Sequence, residues 1–166
     1  MPSERDKIVA AAELLHVGLV YSHFRRNPNS DFDVEDKEKF MSQSLISKPE
    51  LDRESKVLSG VIRSRIWVDP QSDDEDTSGE DSFNSANLQI ETHHTVAFEV
   101  QSDADFSESA LSSFVNTIGK MTVWPYFRAH CAQMGAEAFV LLPPAPLRKA
   151  RYPISEEKYQ DQPESA

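Results

Sequence analysis

The sequence predicts an α+β fold, an antiparallel sheet of three or four strands covered by two helices. Three observations carry this. Asn87 to Gln101 alternates apolar and polar residues with the period of a strand that has one dry and one wet face. The other strand-like stretches lie before residue 87, and two helix-like stretches lie after residue 104. Strands followed by helices, rather than alternating with them, favour an antiparallel sheet.

The elements run as follows. Residues 1–9 are expected to fray. From Glu13 to Phe24, Leu15, Val17, Leu19 and Tyr21 alternate as a strand, and Gly18 argues against a helix. A turn-rich, acidic connection to Lys39 carries Phe32 and Val34, and Phe40 closes it. Those apolar residues either plug the core or line an exposed groove. Phe40 to Ser47 is a fainter strand pattern, ended by Pro49. Val57 to Val68 is a strong one, with Leu58, Ile62, Ile66 and Val68 on one face. Arg63, Arg65, Val61 and Trp67 share the other. Apolar residues on both faces predict cover on both sides.

Asp69 to Ser82 holds seven acids and no apolar residue, so it reads as a solvated loop. A calcium loop beginning at Asp74 would need a bidentate Glu at its twelfth position, where Ser85 stands. In the next strand Leu88, Ile90, Val96, Phe98 and Val100 share a face. His93 and His94 are adjacent, so they point to opposite faces and cannot chelate one metal. Asp105 and Glu108 have capping-box spacing, Phe106, Ala110, Phe114 and Ile118 follow at steps of four, and Gly119 is expected to stop that helix. A second helix is expected to open at Trp124 with Pro125 in its first turn. Phe127, Cys131, Met134 and Ala138 form its inward stripe, while Tyr126, His130 and Gln133 lie on a second face. Pro143, Pro144 and Pro146 end it. The chain divides into one domain, 1–150, and a charged tail, 151–166, expected to be poorly ordered.

Composition narrows the function. A formal net charge of −11 disfavours nucleic acid and anionic membranes as partners. No stretch approaches the ~18 apolar residues of a membrane span, and no signal peptide pattern precedes the first strand, so a cytoplasmic location is the default. One cysteine forbids an intrachain disulfide. Five glycines form no phosphate loop, and no Ser-His-acid, Cys-His or C-x-x-C arrangement has local support. The expectation is therefore a protein that is not an enzyme, with no cofactor and no metal.

The run V-A-F-E-V-Q-S-D-A-D-F from Val96 to Phe106 is followed by W-P-Y-F-R at Trp124 to Arg128. Met134, Gly135, Phe139 and L-P-P-A-P-L up to Leu147 come next. Together these resemble the SecB family of export chaperones. The resemblance implies a four-stranded antiparallel sheet covered by helices on one face, and a homotetramer, a dimer of dimers with the main helices between the sheets. It implies ATP-independent holding of unfolded or precursor polypeptides in long apolar grooves, and delivery to the SecA motor. It places Phe32, Val34 and Phe40 in the client groove, and we add Trp67 as a client contact. Trp124, Tyr126, His130 and Gln133 become the assembly surface. The family's C-terminal helix, which contributes to SecA contact, is replaced here by the charged tail. A chaperone dedicated to one partner, such as an antitoxin of a toxin–antitoxin module, is the first alternative. A small α+β ligand-binding domain or enzyme is the second.

Overall fold

The computed structural model describes residues 3–27, 40–68, 83–102 and 104–138 of the chain. Phe32, Val34, the acidic stretch 69–82 and everything from residue 139 onward lie outside them. The described elements are α1 (Glu4–Ala11), β1 (Ala12–Arg26), β2 (Phe40–Ile46), β3 (Glu50–Asp52), β4 (Val57–Val68), β5 (Leu88–Val100), α2 (Glu108–Phe114), a π-helical turn (Val115–Gly119) and α3 (Lys120–Glu137). The sheet is antiparallel in the order β1-β5-β4-β2, and β3 adds a fifth, short strand beside β4. That fifth strand corrects the expected four. It forms because Asp52 accepts hydrogen bonds from Glu54 N (3.0 Å) and Ser55 Oγ (2.6 Å), closing a tight turn that ends at Lys56 with φ 56°.

Strands β4 and β5 keep the predicted spans almost to the residue. Leu58, Ile62, Ile66 and Val68 of β4 and Leu88, Ile90, Val96, Phe98 and Val100 of β5 are buried under the helices. Strand β1 departs from simple alternation. Its register against β5 slips at Leu15 and again at Val20, two β-bulges. Leu19 therefore pairs with His94 on the covered side, while Tyr21 pairs with His93 on the open side.

The N-terminal segment is a helix rather than a frayed end. Ser3 caps it, Asp6 returns the bond to complete a capping box, and Ile8 is fully buried. Glu4 accepts from Ser107 Oγ (2.5 Å) and Ser107 N (3.3 Å), which ties α1 to the start of α2. Those bonds hold the Glu4 carboxyl below its ordinary range. Ser107, not Asp105, is the N-cap of α2. Its shorter side chain reaches the Ala110 N–H at 3.3 Å, whereas Asp105 pairs with Arg53 at 2.8 Å.

Gly119 does not stop the helix. The chain passes through the π turn, in which the Lys120 N–H bonds back to the Val115 carbonyl, and continues into α3. Gly119 is there because the helix presses on the sheet: a Cβ would meet Ile62 Cδ1 and Val115 Cγ1 at 3.2 Å. Pro125 accordingly sits inside α3 and not at its start. It is tolerated on the outward side, where water can reach the carbonyl of Met121 that has lost its donor.

The core has two parts on the covered side. The larger joins Ile8, Leu58, Ile62, Val96, Phe98, Val100, Ala110, Leu111, Phe114, Val115 and Val123. Phe98 and Phe114 meet edge to face at 5.0 Å. The smaller joins Ile66, Val68, Leu88, Ile90, Phe127 and Cys131, with Phe24, Trp124, Met134 and Ala138 packed on it. The expected inward stripe of α3 is thus the second cluster's roof.

Candidate polypeptide-binding and assembly surfaces

The first surface is the β1 edge. β1 is 15 residues long and pairs only with β5, so one side of its backbone is unpaired among the described strands. Leu14, Leu15, Leu19, Val20 and Tyr21 are all exposed, Val20 by 61%. A long apolar edge invites another extended chain, because each added residue supplies main-chain hydrogen bonds and side-chain cover. The bulges contribute directly, since Leu15 and Val20 are the residues left out of the pairing.

The second surface is the outward face of α3. Met121, Pro125, Tyr126, Ala129, Ala132, Gln133 and Ala136 are exposed, and Met121 is 67% exposed. None of them is charged. Glu137, beside Gln133, is the one charged residue among the exposed positions of α3, and in a chain of net charge −11 so sparse a charge on a helix face made largely of small residues is unusual. Such a face lets a second backbone approach closely.

The third surface is the open face of the sheet. Trp67 lies here at only 3% exposure, covered by Phe83 of a helical turn at 83–85 and by Ala86 just after it. The Trp67 and Phe83 rings meet edge to face at 5.7 Å. Beside them the Arg65 guanidinium sits over the Phe83 ring at 4.3 Å and its Nε donates to Glu91 at 2.7 Å. Arg63 grips the same carboxylate with two bonds, 2.8 and 3.0 Å, and His93 Nε2 lies 2.6 Å from it. Tyr21 stacks on His93 with centroids 4.7 Å apart. The cover predicted for both faces of β4 is therefore present under the helices, and on the other side only at the Arg65 and Trp67 end, beneath residues 83–86, while Ser59 and Val61 stay open or half-open.

The sequence-selected residues fall as follows. Phe32 and Val34 are outside the described residues. The Phe40 backbone pairs with Val68 at the end of β2. Trp67 is closed beneath Phe83, on the face away from α3. Trp124 packs on Phe127 at 5.5 Å in the smaller cluster. Tyr126 is half exposed on α3. Gln133 bonds along its own helix to Glu137 at 2.9 Å. His130 turns inward, with Nε2 2.6 Å from Ser22 Oγ of β1. The structure thus joins Tyr126 and Gln133 on one outward face and separates them from Trp67. Sequence reading overlooked Met121, the alanines of α3 and the bulge residues of β1. The alanines at 129, 132 and 136 did carry a signal, recurring at helical steps on the exposed side of the helix.

Among the described residues no three His, Cys, Asp or Glu side chains come together as a metal site requires. No helix among them is long and apolar enough to cross a membrane.

Similarity in structure decides the fold class. The chain aligns with the SecB-like chaperone Rv1957 of Mycobacterium tuberculosis, solved with a ChAD peptide from the HigA1 antitoxin. The TM-score is 0.60 at 12% identity, over 87% of this chain and 91% of that one. The fold is SecB-like. A protein of unknown function from Streptococcus agalactiae aligns at TM-score 0.36 and 11% identity, over 83% of this chain and 97% of that one. No protein-family model matches the chain, and no curated sequence does. The SecB-like fold accounts for the layout described above: a twisted antiparallel sheet, one face under a long broken helix, and a lengthy first strand left at the edge.

Proposed function

We propose that this protein is an ATP-independent molecular chaperone that binds unfolded or precursor polypeptides in extended form. The observation that carries the reading is the uncovered apolar edge of β1, Leu14 to Tyr21, on a SecB-like fold. An edge captures chain through main-chain bonds and so tolerates many sequences. Phe32, Val34, Phe40 and Trp67 extend the client contact, with Trp67 becoming available when Phe83 moves aside. The acidic surface keeps a protein with exposed apolar patches soluble and favours basic client segments. The sparsely charged outward face of α3, with Tyr126 and Gln133, serves assembly into a homotetramer of the dimer-of-dimers type in the cytoplasm. Hand-off to SecA is a separate property that the charged tail would have to support.

The test is suppression of aggregation of a chemically unfolded protein, without nucleotide, by the wild type and by Val20→Asp. Protection by the wild type and its loss in a folded Val20→Asp variant support the reading. No protection by a folded wild type overturns it. A second reading, service to one antitoxin, is supported by the peptide bound to the Mycobacterium protein. Competition decides between them: a dedicated chaperone retains its antitoxin peptide against a large excess of generic unfolded protein.

A further inference from the structure

A polar row divides the core. Ser22 of β1 pairs with Thr92 of β5, Thr92 with Ser64 of β4, and Ser64 with Ser44 of β2. All four hydroxyl residues face the helices, at the positions where a sheet ordinarily carries Ile or Val. Ser64 and Thr92 are buried. The larger apolar cluster lies on one side of this row and the smaller on the other. Helix α3 is tied to both ends of it. Lys120 Nζ donates to the Ser44 carbonyl at 2.6 Å, and His130 Nε2 lies 2.6 Å from Ser22 Oγ. Ten helical residues rise about 15 Å, close to three inter-strand spacings of about 4.8 Å. The helix therefore crosses the sheet along the row.

His94 stands next to the row, opposite Leu19 and Ile62, at 3% exposure. Its Nδ1 is 3.2 Å from Thr92 Oγ1. No carboxylate among the described residues occupies the covered face of any of the four long strands. From α3 the group facing it is His130. The other cationic side chains of the covered side are Lys120, Arg128 and, on β1, Arg26, which donates to the Ala138 carbonyl at 3.3 Å. Arg128 Nε is itself enclosed without a hydrogen bond among the described residues. Glu137, the acid of α3, is exposed and held by Gln133. On the far side of the sheet His93 is engaged with Glu91, which two arginines already neutralise.

We propose that the hydroxyl row, His94 and His130 form an acid-sensitive latch that holds the second half of α3 on the sheet. A proton on His94 would enter a site where the ring is almost fully buried beside the Thr92 hydroxyl, with His130 facing it. Burial first, then His130 and His93, depress its pKa. The neutral ring thus belongs to the closed state. Its contribution is complete above the unfolded value of about 6.5 and is lost as pH falls below it. Opening at the row frees Phe127 and Cys131 from the smaller cluster and leaves the larger one intact, a local opening of low cost. The latch is a property of the subunit and does not rest on the chaperone reading.

Cys131 is the chain's single cysteine and is buried in the smaller cluster, so it reports the opening. The measurement is its rate of reaction with 4,4′-dithiodipyridine, as a ratio of unfolded to folded protein at the same pH. Protection is expected to fall from pH 7.5 to pH 5.5 in the wild type, by about tenfold at most. It is expected to stay within about twofold in His94→Gln, whose amide can still bond Thr92, and to fall as in wild type in His93→Gln. Hydrogen exchange at 126–138 should rise with the thiol rate while exchange at 108–115 does not. A flat wild-type profile, a fall in folded His94→Gln as large as that of the wild type, or both helix segments opening together would overturn the proposal. If His94→Gln does not melt cooperatively, His130→Gln replaces it. A smaller fall than wild type then supports the latch, and an undiminished one overturns it.

Discussion

At the scale of single residues, the decisive groups are polar ones inside the protein. Among the described residues Arg65 is a large side chain that is almost fully buried, and its charge is balanced by Glu91. Breaking such a pair leaves an uncompensated buried charge. Glu91→Gln should therefore lower stability by about 3 kcal/mol, read as a loss in denaturant midpoint. Arg63→Gln should cost much less, because Arg63 is partly exposed and Arg65 keeps its partner. Burial pushes the Cys131 thiol up to about 12. Iodoacetamide at neutral pH should leave the native protein unmodified and label it once denatured, with intact mass as the readout. The polar Arg–Glu–Arg knot is only half legible in the sequence. Alternation puts Arg63, Arg65, Glu91 and His93 on one face, but strand register decides that they meet.

At the scale of elements, close approach of α2, the π turn and α3 to the sheet sets what can be changed. Gly119→Val should overpack against Ile62 and Val115 and cost about 1–3 kcal/mol, measured by thermal melting. Ala132→Glu should behave oppositely. Ala132 is exposed, so the subunit should melt within about 0.5 kcal/mol of wild type. If α3 mediates assembly, light scattering should show Ala132→Glu as smaller than wild type. Spans were legible where a period was strong, as in β4 and β5. The helix α1 was not, because eight residues with a faint apolar pattern are held by Ile8 in the core and by Glu4 on Ser107. The bulges at Leu15 and Val20 were hidden as well, since an apolar run reads the same with or without a slipped register.

At the scale of the molecule, assembly and pH response are the accessible properties. A homotetramer has a mass of about 75 kDa, four times the 18.7 kDa subunit, and light scattering checks this directly. Stability should fall in two stages on acidification. The first begins below about 6.5, as the unfolded state binds a proton that His94 refuses in the fold. The second begins below about 4, where Glu4, Asp6 and Asp52, all held low by hydrogen bonds, must be protonated. A melting series from pH 8 to pH 3 should resolve both, and His94→Gln should remove the first stage alone.

Hydrophobic period, charge and turn chemistry by themselves determined the α+β class, the order of strands before helices and the inward stripe of α3. They could do so because these features depend on neighbours within a few residues along the chain. Only the tertiary structure decided that the helix runs through Gly119 and past Pro125, that His130 turns to Ser22, that Trp67 is closed by Phe83, and that four hydroxyls line up across four strands. Each of those depends on contacts between residues far apart in sequence, and strand register and helix crossing, not local pattern, bring them together.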